Sequence, residues 1–248
     1  MTGDEVLIAL AVFLLAGVAK GLIGIGFPTV TISLLVTLLE PRQAIILTLG
    51  PILVLNIWQS YRAGEVVRTL RQYAPFAICL CGFLLGTAQF SHGISARALS
   101  FAIGISISVF ALVQLFLHPP ELPKKYDVPA QIVAGTIAGI MGGLTAIWGP
   151  PVLIYLIARR TPKDEFIRAI GVLLTLGTIP LLYSYWSSGV LVGNKIWLTV
   201  FMTIPAIIGF AIGEKFRGRL SGEAFQKTVL VMFFLLGLNI LRRAVMIG

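Results

Sequence analysis

The stretch Gly21-Leu22-Ile23-Gly24-Ile25-Gly26-Phe27-Pro28 constrains this chain most, because it interrupts an apolar run from Val6 to Leu39. One membrane crossing takes ~20 apolar residues. The run is too long for one helix and a little short for two. Glycine permits backbone angles no helix needs, and proline starts a helix well but cannot continue one. The pattern predicts a helix over 6–22, a break at 24–27, and a shorter helix from Pro28. In lipid, backbone groups freed at a break need partners inside protein or beside a watery cavity. The new helix start carries unpaired N–H groups and the positive end of a dipole, which attract anions. Two readings stay open from this stretch alone: a substrate site on a discontinuous helix, or glycines that let helices pack closely.

The surroundings are those of a polytopic membrane protein. The 248 residues are 57% hydrophobic and 12% charged, with mean hydropathy +0.96, a composition outside the soluble range. No stretch is long enough for a separate soluble domain. Asp4 and Glu5 precede the first basic residue, Lys20. That is the wrong charge for a signal peptide, so the first helix is expected to remain. A net charge of +9 reads here as a topology signal rather than a nucleic-acid footprint. Cys79 and Cys81 lie in an apolar segment without His or acidic neighbours and read as packing residues.

Apolar segments fall at 6–22, 28–39, 43–61, 73–90, 96–117, 129–145, 149–158, 166–186, 195–213 and 225–241. The proline-rich, charged stretch 119–128 divides them into 1–118 and 129–248. The two sides echo each other. Gly17, Gly21 and Gly24 match Gly135, Gly139 and Gly142 at identical spacing. Pro41 and Gly50 match Pro162 and Gly171, Gly82 and Gly86 match Gly209 and Gly213, and Ser95 and Ala98 match Ser221 and Ala224. The break recurs as Gly142-Gly143-Leu144-Thr145-Ala146-Ile147-Trp148-Gly149-Pro150-Pro151. A collinear series with a duplicated break favours an internal duplication, and with it the binding-site reading.

Charge then orders the segments. If each crosses, or each short one re-enters with its partner, one side carries Lys20, Arg62, Arg68, Arg71, Lys124, Lys125, Arg159, Arg160, Lys163, Arg168, Lys215, Arg217, Arg219 and Lys227. Only Arg42, Arg97, Lys195, Arg242 and Arg243 fall on the other. The first set marks the cytoplasmic face. Merging each broken pair into one crossing erases the bias. The expected fold is therefore all-α, with two inverted repeats of about five hydrophobic segments, each opening on a broken or re-entrant helix pair, and both termini outside.

No Asp or Glu lies in the middle of any segment, and His92 and His118 sit at segment ends. A proton relay or a cation site wants a buried acid, whereas an anion can be held by helix starts, hydroxyls and amides. The candidate binding residues are Gly24, Gly26, Phe27, Pro28 and Thr29 at the first break, and Thr145, Trp148, Gly149 and Pro150 at the second. Asn56 and Gln59 share a helical face, as do Thr175 and Thr178; each pair either lines a cavity or bonds helix to helix. Lys20 either serves as a counter-charge to the anion or snorkels to the headgroups, the commoner fate of a lysine one turn from a helix end. There is no P-loop, paired-acid set, catalytic triad or metal cluster, so neither an enzyme nor a cofactor is expected.

The pattern Gly17-x-x-x-Gly21-x-x-Gly24-x-Gly26-x-Pro28, its second-half echo, Pro41-Arg42-Gln43-Ala44, and Gly209-x-x-x-Gly213 followed by Leu220-Ser221 resemble the TauE/SafE sulfite exporter family over nearly the whole chain. This chain has Gly24-Ile25-Gly26-Phe27 where members of that family often carry three glycines in a row. The resemblance implies a secondary carrier of sulfite or organosulfonates such as sulfoacetate, working in export, in a bacterial cytoplasmic membrane. Its partners would be that small anion and the lipid bilayer, with a homo-oligomer left open and no nucleic acid. Phe27 and Trp148 would then pack an organic substituent. An anion channel and a non-transporting scaffold or partner subunit are the alternatives.

Overall fold

A computed structural model describes residues 3–116, 119–216 and 223–246. The helices are α1 Gly3–Ile23, α2 Phe27–Leu35, α3 Pro41–Ala63, α4 Val66–Gln72, α5 Ala74–Ser91 and α6 Ala96–Phe116, then α7 Asp127–Thr145, α8 Gly149–Ala158, α9 Lys163–Ser187, α10 Asn194–Phe216 and α11 Glu223–Met246. A short 3-10 turn, Lys124–Tyr126, precedes α7. No strand occurs among the described residues. His118, Arg217, Arg219, Leu220 and Ser221 lie outside them, as do the side chains of Ala224 and Lys227.

Seven of these helices are long and apolar enough to cross a membrane. Outward faces expose Ile78, Phe90, Phe116 and Trp197, a surface that suits lipid rather than water. The protein is an all-helical polytopic membrane protein. With nine and ten residues, α2 and α8 extend only ~14–15 Å, half of a ~30 Å hydrocarbon core. Both begin with a proline in the first turn, where the missing N–H costs nothing. The predicted segment boundaries agree with the helices to within a few residues. The exception is α4, a seven-residue helix after Glu65 that falls between the apolar segments 43–61 and 73–90, because seven residues are too few for a periodicity to show.

Side-chain contacts sort the loops to two ends. At the basic end, Arg62 pairs with Glu214 at 2.7 Å, and Arg159 reaches both Asp127 and Glu165. Glu165 also accepts from Gln72 and from the Tyr73 hydroxyl. At the opposite end, Arg42 donates to the carbonyls of Ser91, His92 and Ile94. His92 there meets Ser184, and Arg243 donates to the Thr37 carbonyl. The contacts fix the direction of each broken pair. Helix α1 runs alongside α10 toward the basic end, and α2 returns toward the opposite one. Helix α7 runs alongside α5 away from the basic end, and α8 returns to it, where Leu122 N–H donates to the Ala158 carbonyl.

The glycine ladders separate into two jobs. A Cβ on Gly17 or Gly21 would run into the α10 backbone at Ala206 and Phe210. One on Gly135, Gly139 or Gly143 would meet the α5 backbone at Phe76, Leu80 and Leu84. These glycines serve close helix packing. Gly24 and Gly26 have open space around them and φ near +90°, so they serve the turn itself.

Prolines inside helices add a third constraint. Pro51 in α3 removes the N–H that would bond to the Leu47 carbonyl. The Thr199 hydroxyl of α10 donates to that carbonyl at 3.1 Å and accepts from Gly50 N–H at 2.9 Å. Pro180 in α9 frees the Leu176 carbonyl, and the Cys81 thiol of α5 lies 3.6 Å from it. Cys81 thus has a backbone to serve as well as space to fill.

Gly21→Ala should destabilise the fold by about 1–3 kcal/mol, since the methyl must displace backbone. Gly82→Ala, with nothing near its Cβ position, should be neutral or slightly stabilising. Thermal unfolding of the two purified variants in detergent checks the contrast.

Candidate functional site

At the first break the last turn of α1 closes with Gly24 N–H on the Lys20 carbonyl. Gly26 then caps α2, its carbonyl accepting from Val30 N–H at 2.9 Å. Pro28 has no N–H to offer, so Phe27 and Thr29 carry the unpaired donors of this helix start. The second break is built differently. Ala146 takes a left-handed conformation at φ 58°, which a residue with a Cβ adopts at a cost of ~1–2 kcal/mol. The Thr145 hydroxyl donates to the Met141 carbonyl at 2.7 Å and accepts from Ile147 N–H at 3.2 Å. Pro150 and Pro151 occupy the next two positions after Gly149 and bring no N–H. The second helix start is therefore poorer in donors than the first.

The two breaks meet across a small cavity of about 20 Å³, lined by Ile25, Gly26, Pro28, Thr29, Asn56, Phe110, Ile147, Trp148, Gly149, Val152, Leu153, Ile170 and Leu174. That is room for about one water molecule, not for an oxyanion and its contacts. Six of the sequence-nominated residues converge there: Gly26, Pro28, Thr29, Asn56, Trp148 and Gly149. Gly24 and Gln59 line a separate vestibule instead.

The remaining candidates stand elsewhere. Phe27 is 1% exposed and packs on Phe13, with ring centroids 6.0 Å apart, so it faces the core. Phe110 of α6 takes the aromatic place beside Gly26. Thr145 is spent on holding the break, and Pro150 is buried outside the lining. Thr175 lies 3.0 Å from the Ser60 hydroxyl and Thr178 donates to the Leu174 carbonyl, both helix-to-helix or intrahelical roles.

The vestibule, about 450 Å³, lies at the basic end. Trp58, Gln59, Arg62, Lys163, Phe166, Ile167, Phe210 and Glu214 line it, together with Gly24, Ala63, Ile25 and Ile170. Ile25 and Ile170 belong to both linings. These two side chains stand between the charged antechamber and the smaller cavity as a partition. Arg62 stands 6.0 Å over the Trp58 ring while it holds Glu214. Gln59 Oε1 and Trp148 Nε1 are buried without a partner among the described residues.

Lys20 does not snorkel. It is 1% exposed and its Nζ donates to Asn56 Oδ1 at 2.8 Å. A lysine in protein interior is costly unless it is paired, and the last turn of α1, negative by its dipole, helps to hold it. The Lys20 amino group thus stands directly behind a cavity-lining amide, and no Asp or Glu is among the described residues that line that cavity.

A cysteine placed at Thr29, in a chain with Cys79 and Cys81 replaced by Ser, should react slowly with a water-soluble thiol reagent. Adding Ile170→Ala should speed the reaction several-fold by removing half of the partition. Labelling rates in membrane vesicles check this, and equal rates would remove the partition.

The family model of the sulfite exporter TauE/SafE matches residues 9–240, a span that includes both breaks and every residue of the cavity. No curated protein and no solved structure matches the chain.

Proposed function

The chain belongs to the TauE/SafE sulfite exporter family, and on that premise we propose that it is a secondary carrier that exports sulfite or small organosulfonates such as sulfoacetate by alternating access. The observation that carries this reading is the cavity between the two helix breaks, where Thr29 and Asn56 supply polar groups, Phe110 and Trp148 supply apolar walls, and Lys20 supplies a buried positive charge. An oxyanion presents only acceptors, and these groups complement it once the cavity widens beyond its present room for about one water molecule. The packing of α1 on α10 and of α7 on α5, with opposite directions for the two broken pairs, supports two inverted halves that rock around this point.

We take the basic end as cytoplasmic by the positive-inside rule, with both termini outside, and the family membership favours a bacterial cytoplasmic membrane. The vestibule then opens on the side from which an exporter loads. Arg42 ties the opposite end together through the Ser91, His92 and Ile94 carbonyls, and Ile25 with Ile170 stands between the vestibule and the cavity; barriers on both sides suit a carrier better than a channel. The chemistry needs no coupling ion in the export direction: an inside-negative potential drives an anion outward by ~2.3 kcal/mol per charge per 100 mV.

Reconstituted in proteoliposomes, the protein should show saturable sulfite flux with counterflow, accelerated by a potential negative on the loading side. Thr29→Val and Trp148→Phe should weaken it through the concentration for half-maximal rate. Flux without counterflow would make the protein a channel. No flux for sulfite, sulfoacetate or any other anion tested would end the carrier reading.

A further inference from the structure

Asn56 is an ambiguous residue by itself, since its amide offers an acceptor on one side and two donors on the other. Lys20 removes the ambiguity. An ammonium group can only donate, so the atom 2.8 Å from Lys20 Nζ is the amide oxygen, and the flipped amide is forbidden. Asn56 is 3% exposed, yet it lines the cavity. Its amide nitrogen makes no hydrogen bond among the described residues, while its own carbonyl is taken by the Ser60 hydroxyl. The unused N–H groups are therefore the ones left for a ligand.

We propose that Lys20 is a positioning residue for anion selection: it holds Asn56 so that only donors face the substrate, and its charge, transmitted through the amide, strengthens them. This rests on the reading of the cavity as the anion site and deepens it. A cation one hydrogen bond behind an amide polarises it and makes the N–H groups better donors. The same arrangement is hostile to a cation or to any ligand that presents an ammonium, so a sulfite or sulfonate is accepted and the ammonium end of an aminosulfonate is not. The alternative role for the pair is a plain tie between α1 and α3, and one substitution separates the two roles.

In Asn56→Asp, Lys20 gains a carboxylate partner. The tie between the helices is kept or strengthened, but the side chain now presents acceptors to the cavity and the local charge is cancelled. The expected result is a chain with unchanged or raised melting temperature, a half-saturating sulfite concentration raised by about tenfold or more, little change in maximal rate, and no stabilisation by added sulfite. Lys20→Arg should retain more affinity than Lys20→Met, because it keeps the charge and donates to the same oxygen. Should Asn56→Asp fail to insert, the double variant Lys20→Met with Asn56→Leu removes both polar groups of the pair together, and the same rise is expected.

The assay is sulfite flux in proteoliposomes, with thermal unfolding in detergent at increasing sulfite. If Asn56→Asp, or the double variant, transports with the half-saturation of the unaltered chain while Thr29→Val and Trp148→Phe weaken it, the pair is a structural tie and this inference falls alone. If Thr29→Val and Trp148→Phe also have no effect, the cavity is not the site and both readings fall together.

Discussion

A backbone N–H or C=O without a partner is the dearest thing this chain can place in its apolar interior. Several irregularities are answered by a specific partner. Where Pro51 strips α3 of a bond, Thr199 arrives from α10; where Pro180 does so in α9, Cys81 arrives from α5. Where α7 stops, Thr145 folds back on its own helix to hold Ile147. The helix contacts follow from these obligations as much as from apolar burial, which drives little association between helices already in lipid. Glycine makes the meeting possible. It closes the α1–α10 and α5–α7 seams to backbone contact, and at Gly50 of α3, where a Cβ would meet the Thr199 carbonyl of α10 at 2.9 Å, it brings the Thr199 hydroxyl within reach of the proline-bearing helix.

The same accounting explains why the breaks face a shared cavity. All other helix starts described here lie at the two ends, where water is available. The starts of α2 and α8 lie within the protein, where their unpaired donors face only each other, a few side chains and whatever enters. The two starts are unequal. The first has glycines in relaxed left-handed conformations and keeps two N–H donors in its first turn. The second stores strain at Ala146 and gives two positions to proline. The polar work falls on the first break and on Asn56, and Trp148 makes the second break chiefly a wall.

Much of this was legible in the sequence because it is local. Glycine and proline spacing placed the breaks at 24–27 and 146–148, and hydropathy placed the long helices, since those signals act on the residues that carry them. What could not be read depends on rotation about a helix axis or on a partner far away in sequence. Phe27 sits at a break, but the turn set by Gly26 aims it at Phe13, and Phe110 comes in from α6. Lys20 has a headgroup-reaching length, yet Asn56, 36 positions on, gives it a reason to stay inside. Ile25 and Ile170 carry no chemical signal, because a partition in an apolar chain is made of ordinary apolar residues. The role of Cys81 becomes visible only when Pro180 is found beside it.

The end opposite the vestibule has a property of its own. A single terminal nitrogen of Arg42 lies 3.2–3.4 Å from three carbonyls, those of Ser91, His92 and Ile94. That nitrogen carries two hydrogens, so one acceptor is always in surplus. The tie between the start of α3 and the turn after α5 therefore does not hang on any single carbonyl: losing one still leaves the guanidinium nitrogen fully bonded.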